Sequence, residues 1–342
     1  TDTRYRQRYV DLWVTPESRN AFMIRSKMMS LTRRFLEERG FIEVETPIFH
    51  PIPGGANARP FTTHHNALDL ELYMRVAPEL YLKRLTVAGF DKVFELGRVF
   101  RNEGVSTRHN PEFSMLELYQ AYADYEDIMN LVEELVEYLA IELTGSTVLH
   151  FGDKPLDVAR PWRRASMIEL IKEATGEALS LEMPIEEIRK VADNYGVPYR
   201  ESYGVGKLVL EIYEKTTEAN LWGPIYVTEH PSEVSPLARE HRDKPGVTER
   251  FEAILAGREL CNAFSELTDP DEQRKRFESQ AAQKADGDDE AMTVDEDYLR
   301  ALEYGMPPTG GLGIGMDRLA MLLTGVGTIR DVVLFPTLRP EK

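Results

Sequence analysis

Gly310-Gly311-Leu312-Gly313-Ile314-Gly315-Met316-Asp317-Arg318 carries glycine at 311, 313 and 315 and ends on an arginine. Alternate residues of a strand share a face. Glycine at every second position therefore strips one face bare and lets a flat strand pass beneath a ligand. The apolar residues that follow predict a helix starting near Gly315, whose N-terminus and Arg318 suit an anionic phosphate. The run lacks the Lys-Ser/Thr of a phosphate loop and does not match a dinucleotide fingerprint. Taken alone it reads equally as a tight strand-to-helix packing turn, so its meaning rests on its companions.

The first companion is a hairpin, with strands expected at 93–103 and 112–120 and a polar loop between them. Period-two alternation puts Arg101 and Glu103 on one face of the outgoing strand. On the return strand it puts Phe113, Met115, Glu117 and Tyr119 on one face, and Ser114, Leu116 and Leu118 on the other. Arg, Glu, Phe, Glu and Tyr make a poor core face and a good platform for a ligand. Phe113 could stack on a base, Arg101 could hold a phosphate, and Glu103 could accept from an exocyclic amine.

The second companion runs from Arg250 to Glu266, with Ala256-Gly257 as a two-residue turn. That register pairs 254 with 259 and 252 with 261. It sets Glu252 and Glu259 as diagonal neighbours on one face, roughly 7–8 Å apart at the backbone. Their carboxylates could converge on Mg²⁺, which takes one or two carboxylates plus phosphate oxygens. Asn262, Phe264 and Glu266 have the opposite parity from Glu259. All four reach one site only if a bulge or strong twist breaks the alternation between 259 and 262, and such an irregularity is expected. Two guanidinium forks with a pair of metal-binding acids suit a nucleoside triphosphate held for attack at phosphorus. Such chemistry needs positioning and charge neutralisation, not a protein nucleophile.

The remainder reads as one large soluble chain. Its 342 residues are 42% hydrophobic and 29% charged, enough to bury a sizeable core. No apolar run approaches the roughly 20 residues of a membrane span, and no signal peptide is visible, so no membrane association is expected of this stretch. The first residue is Thr1, as expected of a fragment or a processed product. Cys261 is the only cysteine, which excludes an internal disulfide and a multi-thiolate zinc site and fits a cytoplasmic setting. A net charge of −17 argues against sequence-blind nucleic-acid binding, although Arg4, Arg6 and Arg8 form a local basic patch or a solvated linker.

Along the chain, residues 1–15 read as an extended lead-in. A helix runs from Pro16 to about Arg39, and a strand from Phe41 to Thr46 is halted by Pro47. A loop over 50–66 contains Pro53-Gly54-Gly55. A strand at 71–76, a helix from Glu79 and a helix at 126–144 follow. Residues from about 150 to 225 read as a helical insertion, with segments near 165–175, 184–195 and 206–220. Strands return at 225–228 and 249–267, a helix covers 270–284, and the acidic stretch 286–290 reads as a solvated loop.

Together these motifs resemble a class II aminoacyl-tRNA synthetase. The helix, strand and Pro47 are similar to its motif 1, the hairpin from Phe100 to Tyr119 to its motif 2, and the glycine run through Arg318 to its motif 3. Lys27-Met28-Met29-Ser30 only faintly echoes the lysine loop of class I, with no companion histidine motif. Within class II the chain resembles the lysyl-tRNA synthetases. The carrying stretches are Arg6-Gln7-Arg8-Tyr9-Val10-Asp11-Leu12, Gly54-Gly55-Ala56-Asn57-Ala58-Arg59-Pro60-Phe61, Ala77-Pro78-Glu79-Leu80-Tyr81-Leu82-Lys83-Arg84-Leu85, Phe100 to Glu117, and Glu266 to Asp269. The similarity covers essentially the whole chain. Residues 1–15 match the connection that follows the family's anticodon-binding barrel, which is absent from this sequence, and 16–342 match its catalytic domain.

The resemblance implies an α+β fold, an antiparallel sheet flanked by helices with a helical insertion, and a homodimer across motif 1. It implies that Arg101 and Arg318 are catalytic, on the α-phosphate with the substrate carboxylate and on the γ-phosphate respectively. Glu103 and Phe113 would hold adenine beneath His109 and Asn110, and Glu252 and Glu259 would bind Mg²⁺. Gly55 and Glu79 would take the α-ammonium of L-lysine and Asn262 its carboxylate. Glu117, Tyr119 and Glu266 would surround the ε-ammonium, with Phe264 lining the same pocket. The implied reaction joins lysine to ATP as lysyl-adenylate and passes the lysyl group to the acceptor end of tRNA(Lys). Rival expectations keep the adenylate but change the acceptor, to a lysine of elongation factor P or to a membrane lipid, or make the chain a non-catalytic binding partner. Gly313 and Ser265 look more like the tRNA-charging enzymes than the elongation-factor group. Ala263 departs from a common glycine beside the carboxylate site.

Overall fold

The computed structural model describes residues 2–285, 287 and 290–341. Most of the acidic stretch expected as a solvated loop at 286–290 therefore lies outside the described residues. The chain opens with two short helices, α1 (Asp2–Arg6) and α2 (Arg8–Val14), where an extended lead-in was expected. Arg8 supplies the reason. Its side chain is wholly buried and donates from Nε to the Leu334 carbonyl at 2.9 Å and from Nη1 to Asp11 Oδ2 at 2.9 Å. Its Nη2 reaches the Val333 carbonyl at 3.2 Å and that of Arg330. Arg4 donates to Asp11 Oδ1 at 2.9 Å and Ser18 Oγ at 2.8 Å, and Arg6 to the Arg339 carbonyl at 2.6 Å. The arginines expected as a patch for a partner are thus engaged in fastening the start of the chain to residues 330–339.

Pro16 at the first helical position opens α3 (Pro16–Glu37). Strand β1 (Ile42–Glu43) is shorter than the alternation predicted, because the backbone N–H of Thr46 leaves the ladder for Glu95 Oε1 at 3.2 Å. Strands β2 (Phe49–His50), β3 (Phe61–His65) and β4 (Leu70–Met74) form a three-stranded sheet; β4 answers the strand expected at 71–76, while β3 lies within the loop expected over 50–66. The β-branched and aromatic residues of β3 favour that pairing. Then come α4 (Glu79–Val87), β5 (Lys92–Phe100), β6 (Glu112–Ala121) and α5 (Tyr125–Thr144). Asp124 and Asp127 cap the start of α5 reciprocally, and Gly145 ends it in the left-handed region at φ 77°.

Residues from 150 are not helical throughout. Strands β7 (Val148–Phe151) and β8 (Lys154–Asp157) pair as a hairpin, and β9 (Arg163–Ser166) joins the edge of the large sheet. Helices α6 (Met167–Thr175), α7 (Ile185–Asn194) and α8 (Val205–Thr216) follow, close to the positions predicted. They bury Leu170, Ile188, Leu208 and Ile212 in a cluster of their own against Ile225 and Val227 of β10 (Ile225–Thr228). The chain ends with β11 (Arg250–Leu255), β12 (Arg258–Ser265), α9 (Pro270–Ala285), α10 (Glu296–Glu303), β13 (Thr309–Gly315) and α11 (Met316–Thr324).

The large sheet has eight strands in the order β1-β5-β6-β13-β12-β11-β10-β9. The six central strands are antiparallel, and a parallel strand closes each edge. Rows of paired residues cross it. One row runs Leu118, Leu312, Ala263, Phe251, all buried beneath α3, α5 and α11. The adjacent rows run Tyr119, Gly311, Phe264, Arg250 and Glu117, Gly313, Asn262, Glu252, on the opposite face. Burying each large apolar side chain contributes about 1.5–3 kcal/mol. The helix-covered face therefore secures the register and leaves the other face free for polar residues. Among the described residues, no helix is long and apolar enough to cross a membrane.

Removing Arg8 would leave Asp11 Oδ2 and the carbonyls of Arg330, buried Val333 and Leu334 without this donor. Arg8→Ala should lower unfolding free energy by about 3–5 kcal/mol, read by urea denaturation. A loss under about 1 kcal/mol, the size of an exposed pair, would show that Arg8 does not anchor the N-terminal helices.

Candidate functional site

A cavity of about 460 Å³ opens over the polar face of the sheet, and every site residue nominated from the sequence lines it. The route by which some arrive differs from the sequence reading. Strand β5 ends at Phe100, so Arg101 and Glu103 lie in the connection and strand parity does not place them. Arg101 N still donates to the opposing Pro111 carbonyl at 2.8 Å, but Pro111 has no N–H to return, and Asn102 N leaves the ladder for the Arg59 carbonyl at 2.8 Å. The Arg101 guanidinium still stacks 5.1 Å from the centre of the Phe113 ring. Among the described residues its buried Nε has no hydrogen-bond partner. Burial pulls its pKa down, against the pull of Glu103 and Glu259. A guanidinium whose buried Nε lacks a partner among the described residues is prepared for an anion.

The loop over this end is held by its own side chains. Asn110 donates to the Glu112 carbonyl at 2.6 Å and accepts from Thr337 N at 3.1 Å, so its amide shapes the loop. His109 Nδ1 lies 3.0 Å from Ser106 Oγ. Burial, then Arg318, depress the His109 pKa, which favours the neutral ring.

The second hairpin turns at Ala256 and Gly257 with φ 54° and 69°, the twist that two-residue hairpins require. Ile254 pairs with Glu259 as expected, but Glu252 pairs with Asn262 and not with residue 261. The register shifts between Ala253 and Ile254, with Leu260 as the extra residue on the opposing strand. Leu260 and Cys261 both turn into the core, while Glu259, Asn262 and Phe264 all reach the cavity. The irregularity expected between 259 and 262 is present. Arg318, from the first turn of α11, donates to the Glu259 carbonyl at 2.7 Å and lies 3.4 Å from its Oε2.

The far end of the cavity is crowded with buried carboxylates. Glu79, Glu117 and Glu266 are all nearly inaccessible. Tyr119 donates to Glu117 Oε2 at 3.0 Å. Gly55 has φ +90°, and a Cβ there would lie 3.3 Å from Glu79 Cβ, so its backbone approaches Glu79 as only glycine can. A Cβ on Gly311 would collide with Glu266 and come within 2.6 Å of the Tyr119 ring. The bare face of β13 is thus the floor of this pocket. Burial, and then the charge of Glu79, push Glu117 up to about 8. Burial also raises Glu79 and Glu266, while the Lys83 ammonium pulls both back.

Several participants were missed from sequence. Lys83, wholly buried, pairs with Glu79 at 2.7 Å and with Glu266. The four-residue spacing of Glu79 and Lys83 on a helix was the available signal. Arg250 donates from Nε to Asn262 Oδ1 at 3.0 Å and from Nη2 to Glu252 Oε1 at 2.7 Å, which leaves the Asn262 amide nitrogen as the donor facing the cavity. Asp317 accepts from Arg25 at 2.6 Å and from Ser114 N at 2.7 Å, fixing the start of α11. Glu214 and Glu218 are pushed up to about 7 by burial first and then by neighbouring carboxylates, Glu252 and Glu259 among them. No local sequence signal links these two to β11 and β12.

The family model of class II tRNA synthetases (D, K and N) matches residues 1–339. A lysine–tRNA ligase of Shouchella clausii is 56% identical over 99% of this chain and 67% of its own length. Lysine–tRNA ligases of Bacillus subtilis and Moorella thermoacetica are each 54% identical, over 99% and 100% of this chain and 68% and 70% of their own. The chain thus spans about two thirds of these relatives. Two arginines over a glycine-floored strand, a bulged acidic hairpin and this extent of similarity lead to one conclusion: the chain belongs to the class II tRNA synthetases (D, K and N).

Proposed function

We propose that this chain activates L-lysine with ATP to give lysyl-adenylate and pyrophosphate, and transfers the lysyl group to the 3′ end of tRNA(Lys). The observation that carries the reading is the polarity of the cavity. Unpaired or half-paired arginines stand at one end, and three buried carboxylates close the other. A diamino monocarboxylic acid lying between them meets an opposite charge at each of its three ionised groups. In this pose Glu79 and the Gly55 backbone meet the α-ammonium, Asn262 and Arg101 the carboxylate, and Glu117, Tyr119 and Glu266 the ε-ammonium, with Phe264 along the chain. A neutral amino acid would leave buried acids unpaired, which costs several kcal/mol and rejects it by roughly 10⁴–10⁵.

The nucleotide lies over Phe113, with Glu103 on the adenine amine and His109 and the Asn110 loop above it. The substrate carboxylate attacks the α-phosphorus, the bond to the β-phosphate oxygen breaks, and pyrophosphate leaves. Arg101 and Arg318 stabilise the charge as it moves. Glu252 and Glu259 suit a magnesium ion. Among the described residues no three acids, histidines or cysteines come close enough to hold a metal unaided, and Mg²⁺ characteristically takes one or two carboxylates with the substrate's phosphates. Burial first, and then the charge of Glu252 and Glu259 among others, raises the nearby Glu214 and Glu218. When bound, the ion would neutralise phosphate charge.

The named relatives support tRNA as the acceptor over elongation factor P or lipid, and every nominated position lining one cavity speaks against a non-catalytic role. A second copy of the chain across motif 1 is supported by large apolar side chains left exposed near it, among them Ile42, Ile48 and Phe49. Cytoplasmic residence fits both the relatives and the single cysteine.

Lysine-dependent pyrophosphate–ATP exchange tests the reading, with ornithine, arginine and β-lysine as competitors. α-Lysine alone should support exchange, and a folded chain without exchange would overturn the proposal. Arg101→Ala and Arg318→Ala should each lower exchange by about 10²–10³-fold, the worth of a positioned donor at developing charge.

Glu117 supplies a proton test. Raised to about 8, it holds a proton near pH 7 in the empty pocket. An unfolded glutamate has already released its proton there, so this group lowers stability as pH climbs from the ordinary glutamate range to about 8. An arriving ε-ammonium should expel the proton. Calorimetry in two buffers of different ionisation heat should read close to one proton released per lysine near pH 7, diminishing above about pH 8. No release near pH 7 would contradict the placement of the ε-ammonium at Glu117.

A further inference from the structure

Lys83 lies outside the set of groups that meet substrate in the reading above, yet it is the cation nearest the crowded acids. It sits one turn after Glu79 on α4 and has no exposed surface. Its Nζ is 2.7 Å from Glu79 Oε1 and ion-paired with Glu266 Oε2. The Phe264 ring lies 5.5 Å from Nζ and the Tyr298 ring 6.0 Å. Two carboxylates and two aromatic faces therefore enclose one ammonium. An ordinary helix pair would need only one acid. Here the second comes from the end of β12, and among the described residues Glu266 Oε1 has no hydrogen-bond partner. The two acids are the ones placed at opposite ends of the substrate, Glu79 at the α-ammonium and Glu266 at the ε-ammonium.

We propose that Lys83 is a positioning residue for amino-acid capture: its ammonium ties Glu79 to Glu266 and keeps both ionised in the dry end of the pocket, ready for the two ammonium groups of lysine. This rests on the lysine reading of the site. The charge balance supports it. Once the arriving ammonium has expelled the proton of Glu117, the three acids Glu79, Glu117 and Glu266 with Lys83 carry two net negative charges, which a diammonium chain neutralises. The other groups acting on these acids are Tyr119 from β6, Tyr298 from α10, and Arg101 and Arg250 from either side. Burial favours the neutral acids, and Lys83 is the cation in direct contact opposing it. Without it the acids take up protons near pH 7 and grip an ammonium poorly.

The test is steady-state pyrophosphate–ATP exchange with Lys83→Met and with Lys83→Gln, which retains hydrogen-bond donors and serves where the methionine variant does not fold. Near pH 7 the KM for lysine should rise at least about tenfold, with KM for ATP and kcat little changed. The defect should shrink by about pH 8.5 as the acids ionise again. A purely structural role would impair both substrates and show no recovery with pH. A folded neutral variant with the unaltered KM for lysine, or an equal defect at both pH values, overturns the inference. No lysine-dependent exchange in the unaltered chain would instead overturn the lysine reading itself.

Discussion

Three carboxylates share one end of a cavity from which water is largely excluded, and much of the surrounding structure is organised by that crowding. Charge in such a place is costly unless it is paired. The fold provides one internal ammonium, from Lys83, and a phenol, from Tyr119, fewer partners than the acids require. The deficit is a stored demand for cations. It suits a substrate with two ammonium groups, and burial, followed by the charge of Glu79, raises Glu117 to about 8.

Room for that crowding comes from backbone geometry. The bare face of β13 lets Glu117 and Tyr119 on one flank and Asn262 and Phe264 on the other converge over Gly313 and Gly311. The bulge at Leu260 then returns Glu259 to the same face as Asn262. A regular ladder would have turned one of them into the core. On the reverse side the same strands carry Leu118, Leu312 and Ala263, so helix packing on one face holds the polar face open.

Buried and half-buried arginines tie this sheet to more remote parts of the chain. Arg25 of α3 meets Asp317, which also receives the backbone N–H of Ser114 on β6. The helix carrying Arg318 is thereby fixed to the strand that carries Glu117. Arg8 does a similar task for the chain ends, joining α2 to the carbonyls that follow α11. Arg250 links Asn262 to Glu252, and so couples the carboxylate end of the cavity to its acidic hairpin.

Much of the site could be read from local pattern because its grammar is local. The glycine spacing of β13, the alternation Phe113-Met115-Glu117-Tyr119 and the Ala256-Gly257 turn each follow from strand periodicity and turn sterics within a few residues. The need for a bulge between 259 and 262 followed from parity alone. Arg101 and Glu103 were read to the right cavity for the wrong reason, since a bond from Asn102 to the distant Arg59 carbonyl ends the strand before them. The helices α1 and α2 and the edge strand β9 escaped notice because each depends on a partner far along the chain, whereas β2 and β3, which pair with the nearby β4, fall in or beside the stretch that reads as a loop. The sequence by itself determined the paired strands of the two hairpins and the glycine strand, their turn, and the kinds of charge they carry. Which of those charges meet was decided only by the tertiary structure: Lys83 between Glu79 and Glu266, Arg250 on Asn262 and Arg8 on the C-terminal carbonyls. Ion pairing depends on distance in space, and burial alone decides how much each pair matters.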